Sequence, residues 1–161
     1  MLHYKTSFNL TFEPSDHGCA DVIFSVQAQQ IKINLSYLWG DPLPDLAKAL
    51  ILLQNGSLDP HDVIFAEEPN AYLLRLRPSR WQGSIHYELY TIPDVTKYDK
   101  EKGVNVSQII LSNVADLEVL LNRIHDLMVG IKEKFGEEDY LERWWHPFPA
   151  EEMIKLSPAL D

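Results

Sequence analysis

The stretch AYLLRLRPSRWQGSIHYELYT, residues 71–91, decides the fold class. Two alternating runs flank a break that contains Pro78, Ser79 and Gly83. Tyr72, Leu74 and Leu76 fall on one side of the first run, and Ile85, Tyr87 and Leu89 share that side on the second. The other side carries Leu73, Arg75, Arg77, His86, Glu88 and Tyr90. A period of two with one polar side predicts an antiparallel hairpin that is covered on one face only. Two registers fit the connection. Arg77 faces His86 with Arg75 facing Glu88, or Arg75 faces His86 with Leu73 facing Glu88. Either puts a cation beside the histidine, which suits a surface ion pair better than a metal.

Working outward, DVIFAE (62–67) reads as a preceding strand, joined through the turn EPN. Near the N-terminus, Tyr4, Thr6, Phe8, Leu10 and Phe12 alternate, then Val22, Phe24, Val26 and Ala28, then Ile31, Ile33, Leu35 and Tyr37. The change of parity predicts a tight turn or bulge at Gln29–Gln30. VNVSQIILS (104–112) is the last strand. A helix opens with Asp41 as its cap and Pro42 at its first position, and closes at Gly56. A longer one runs from Val114 through Leu117, Leu121, Ile124, Met128, Ile131 and Phe135 to Gly136. Gly130 inside it costs about 1 kcal/mol relative to alanine and is read as a point of close packing.

The C-terminal third continues with short helices over about 137–157, docked through ERWWHPFP. Adjacent tryptophans on a helix point about 100° apart, so Trp144 and Trp145 are not equally buried; one anchors the segment and one is a candidate partner contact. The expected architecture is one α+β domain over residues 1–161. It has a mainly antiparallel six- or seven-stranded sheet, one crossover helix and a helical C-terminal third packed on one face.

The formal charge is −10, distributed as −3 over residues 1–80 and −7 over 81–161. That leaves no concentrated cationic face for phosphate backbones, so nucleic acid is not an expected partner. A basic protein partner, steered by the acidic surface, is. No apolar run reaches the roughly 20 residues that span a bilayer. A secretory leader pattern is missing too, and with one cysteine, Cys19, the expected location is the cytoplasm.

No motif for catalysis, phosphate cradling or dinucleotide binding occurs, and no cofactor or metal is expected. DPHD (59–62) reads as a turn, DHGC (16–19) as a turn leading into a strand. The expected activity is therefore protein binding without catalysis, with an inhibitor or immunity-type protein as its concrete form. The alternative is an enzyme or small-ligand site assembled from distant residues, for which Glu67, Glu68, His86 and His146 are the first candidates. Trp144, Trp145, Trp81, Arg75 and Arg77 are the candidate partner contacts, the last three from the basic stretch RLRPSRW (75–81).

Overall fold

A computed structural model describes residues 5–97 and 108–156. Among these residues seven strands form two antiparallel sheets: β1 (Asn9–Pro14), β2 (Cys19–Val26) and β3 (Gln29–Ser36) in one, and β4 (His61–Ala66), β5 (Ala71–Pro78), β6 (Ser84–Ile92) and β7 (Gln108–Asp116) in the other. Each follows chain order. Helix α1 (Pro42–Gln54) crosses between the sheets, and α2 (Leu117–Trp144) and α3 (Ala150–Leu156) follow the second sheet. The expected α+β class is present, with the strands divided between two sheets rather than laid in one.

The hydrophobic pattern explains the packing. Leu10, Phe12, Val22, Phe24, Ile33 and Leu35 line the inner face of the first sheet; Leu74, Leu76, Ile85, Tyr87 and Leu89 line that of the second. Both contribute to one core with α1 and α2. Phe8 joins the two sheets, stacked on Phe24 at 4.7 Å and edge-on to Tyr87 at 5.1 Å. The Thr6 N–H donates to the Val114 carbonyl at 2.8 Å, and the Tyr87 hydroxyl donates to the Thr6 carbonyl.

Helix α2 lies along β1, whose outer edge has no strand partner among the described residues. An open edge invites pairing with other chains. Here Arg123 Nη1 donates to the Phe8 carbonyl at 3.0 Å and Arg143 Nη1 to the Ser15 carbonyl at 3.3 Å, so helix side chains hold the residues just before and just after that strand. Among the described residues, no helix is long and apolar enough to cross a membrane.

Several expected boundaries move. The β2–β3 turn sits at Gln27–Ala28, with Val26 facing Gln29, and Gln27 takes φ 53° there. β1 begins at Asn9, while Tyr4 and Val104 to Ser107 lie outside the described residues. Val114 belongs to β7, and α2 starts at Leu117 because the Asp116 carboxylate accepts from the Glu118 and Val119 N–H groups. Gly136, at φ 75°, breaks α2 as expected and lets the last turns change direction. Gly130 is different: a β-carbon there would meet no heavy atom within 4 Å, so it marks open space and not close packing.

Candidate acidic and aromatic interface

Where β3 ends, Ser36 Oγ accepts from the Leu38 N–H at 3.3 Å and starts a short 3₁₀ turn over Tyr37–Trp39. That turn leaves Leu38 58% and Trp39 41% exposed. Across from it is the β4–β5 turn. The backbone N–H groups of Glu67 and Glu68 both donate to the Asn70 carbonyl, at 2.9 and 3.0 Å. This places two neighbouring carboxylates at the edge of the second sheet.

Both carboxylates are held in place. Glu67 accepts from the Asn34 backbone N–H at 3.0 Å and from Asn70 Nδ2 at 2.9 Å. Glu68 accepts from the Trp39 indole N–H. Together with Cys19, Ser36 and Leu35 they line an open hollow of about 480 Å³. Glu68 adopts φ 62°, in the left-handed region that non-glycine residues rarely enter. Such a conformation persists where its surroundings hold it.

A second exposed indole packs on the turn that precedes Cys19. Trp145 caps α2 in the left-handed conformation, φ 71°, which turns its ring off the helix axis and onto Tyr37 at 4.6 Å. The ring covers Gly18, next to Cys19, and remains 47% exposed. Gly18 has φ 74°, and a β-carbon there would lie 2.4 Å from Tyr37 Cδ1 and 2.7 Å from Trp145 Cε3. Only glycine fits. Its part in seating Trp145 is hidden in what reads as an ordinary turn, DHGC.

Trp144 points inward and is 0% exposed. Its Nε1–H donates to Asp41 Oδ1 at 3.1 Å, and its ring meets Phe12 edge-on at 5.5 Å. Burial pushes the Asp41 carboxyl up to about 6, against the opposing pull of the Trp144 hydrogen bond, the nearby His146 and the Leu43 N–H. Tyr140, also buried, has a hydroxyl without a hydrogen-bond partner among the described residues, and burial drives its pKa upward. His146 Nε2 lies 2.8 Å from the Tyr37 carbonyl, where the carbonyl accepts from it.

Of the other expected contacts, Arg75 and Arg77 lie on the outer face of the second sheet and Trp81 in its β5–β6 turn. The register puts Arg77 opposite His86 and Arg75 opposite Glu88, the first of the two alternatives. Arg75 grips Asp62 with two bonds, at 2.8 and 3.0 Å. Arg77 Nη2 is 2.9 Å from the buried Glu88, which also accepts from the Tyr90 hydroxyl at 2.8 Å. Arg77 Nε donates to His86 Nδ1 at 3.1 Å, so the ring proton sits on Nε2, 2.8 Å from Ser112 Oγ. With that tautomer the imidazole donates to the serine and is not poised to take its proton. Trp81 is half-buried in the β5–β6 turn, with the Arg80 guanidinium 4.5 Å over its ring.

Glu67 and Glu68 are thus brought together with Trp39, while His86 and His146 are separately engaged and neither lines the hollow. Among the described residues, the only hydrogen bond of Cys19 Sγ is to the His17 carbonyl at 4.0 Å, so no imidazole activates it. No group of three or more His, Cys, Asp or Glu among the described residues is disposed to hold a metal. Glu67 and Glu68 stand out in the sequence as an acidic pair, whereas Trp39 does not, because its partner Glu68 is 29 residues away.

No family model and no curated protein matches the sequence. Among solved structures, a chain of the CdiA-CT/CdiI toxin and immunity complex from Enterobacter cloacae is similar at 12% identity, over 75% of this chain and 98% of that one. The TM-score is 0.43, too low to bear on function.

Proposed function

We propose that this protein is a non-catalytic binding domain that captures a basic protein partner, acting in the cytoplasm. The observation that carries the reading is the pair Glu67 and Glu68, fixed by Asn34, Asn70 and Trp39 beside exposed indole surface. Pre-positioned carboxylates lose little freedom on meeting a guanidinium or ammonium group, and hydrogen bonds between charged partners are the stronger kind. Exposed tryptophan supplies apolar area and a face that attracts cations. The net charge of −10 favours encounter with a basic surface. An inhibitor or immunity-type protein, which neutralises a basic target by covering it, is the form we favour, on charge and size.

The test is affinity capture from lysate of the source cells at low and moderate salt. The expected result is one stoichiometric basic protein, released as salt rises. Binding should fall at least tenfold with Glu67→Gln/Glu68→Gln, and similarly with Trp39→Ala. A complex insensitive to salt and to these changes would overturn the reading, as would failure to capture any stoichiometric partner.

A further inference from the structure

The outer face of the first sheet ends at the hollow on its β3 side and at a separate groove, against α2, on its β1 side. The groove measures about 310 Å³ and is mainly apolar, with Ile23 on one wall and Leu127 and Phe135 on the other. Its floor is opened by Gly130, midway between Asp126 and Lys134 in a row of residues four apart along α2. Nothing in the backbone or the packing requires glycine there, since a β-carbon would meet no atom within 4 Å. What the missing side chain does is keep a notch open between two apolar walls.

The rim indicates what enters. It carries Glu13, Asp21, Asp126 and Lys134, and Lys134 is already paired with Glu13 at 2.6 Å. Asp21 and Asp126 remain without a lysine or arginine partner among the described residues. The row Leu127, Ile131, Phe135 runs about 12 Å at 1.5 Å per helical residue, room for one or two side chains of a short segment. Register places Glu13, Asp21 and Asn34 side by side, and strands stand about 4.8 Å apart, so groove and hollow are separated by only two strand spacings, roughly 10 Å.

We infer that the groove at Gly130 is a second docking point, which takes an apolar side chain flanked by cations from a protein partner. Its occupant inserts between Ile23 and Leu127 while its lysines or arginines meet Asp21 and Asp126. The basic character of the partner is shared with the function proposed above, but the groove is argued from its own residues.

A nitrogen-15 NMR titration tests it with three capped five-residue peptides: leucine between lysine pairs, serine between lysine pairs, and leucine between glutamate pairs. The first should move the amide signals of Gly130, Ile131 and Ile23 saturably, and the other two should bind there at least tenfold more weakly. Gly130→Met, which fills the notch, should cost a further tenfold or more while the rest of its spectrum shows an intact fold. If that variant unfolds, Gly130→Ala serves, with a smaller loss expected. No saturable shift at Gly130, or equal binding of the serine peptide, would overturn the inference. Failure of the acidic hollow would appear separately, at the Asn34 and Asn70 signals, and Glu67→Gln/Glu68→Gln should leave the groove unaffected.

Discussion

The indole N–H of Trp144 donates to Asp41 Oδ1 at 3.1 Å, which joins the last turn of α2 to the residue that caps α1. The same oxygen accepts from the Leu43 N–H at 3.4 Å. One partly buried carboxylate therefore starts one helix and anchors the end of another, 103 positions later in the chain.

That arrangement makes stability depend on pH in a definite direction. Asp41 is raised to about 6 in the fold, above its ordinary 3.8, so the folded state holds this proton more tightly than the unfolded chain. Its contribution favours folding most below pH 4 and is lost as pH rises through 6, by an amount on the order of 3 kcal/mol. Asp41→Asn retains an acceptor for both N–H groups and remains a good cap. Urea unfolding at a series of pH values should find the variant at least as stable at pH 7, and the gap between the two proteins should close between pH 6 and 4. A constant gap would count against the buried carboxyl.

The neighbouring tryptophans should respond unequally. Trp144→Ala empties a site closed on all sides and should cost about 3–5 kcal/mol. Trp145→Ala, at a half-exposed ring, should cost about 1 kcal/mol or less. Denaturant midpoints of both variants check this, and equal losses would contradict the inward and outward placement.

Gly18→Ala should destabilise by about 1–3 kcal/mol, since it adds a clash with Tyr37 and Trp145 to an unfavourable positive φ. The expected signature is a red-shifted tryptophan emission as Trp145 is displaced into water. An unchanged spectrum and midpoint would mean that the turn relaxes freely.

Gly130→Ala should do the opposite. The helix gains about 0.5–1 kcal/mol from the better helix former, and the new methyl touches nothing. Thermal or urea unfolding decides it. A loss of stability would mean that α2 packs closely against its neighbours at this point.

Much of the fold was legible in local pattern. The 71–91 hairpin, its inner face, the Asp41 cap and the Gly136 break all follow from side-chain period, cap chemistry and the glycine preference for positive φ, which act between near neighbours. The outer face is not wholly open as expected, because Leu73 is buried there in a second small cluster with Ala66, Ala71, Ile92 and Val95. The β2–β3 turn was misplaced by two residues because Gln27 takes a left-handed conformation without being glycine or asparagine. Val114 was misassigned because it fits the helical stripe of α2 as well as the outer face of β7, and the Asp116 cap decided between them.

The candidate site was only half legible. Glu67 and Glu68 stood out as a pair, and the 100° offset required Trp144 and Trp145 to part company, but nothing local said which would turn inward. That was decided by the left-handed cap at Trp145 and the bare backbone at Gly18. By itself the sequence determined the elements, their buried faces and the acidic balance, because propensity and period are local properties. Tertiary structure alone decided that the strands split into two sheets, that Trp39 meets Glu68 and that Gly130 opens a groove. Each of those depends on contacts between residues far apart in the chain, and no local pattern records such a contact.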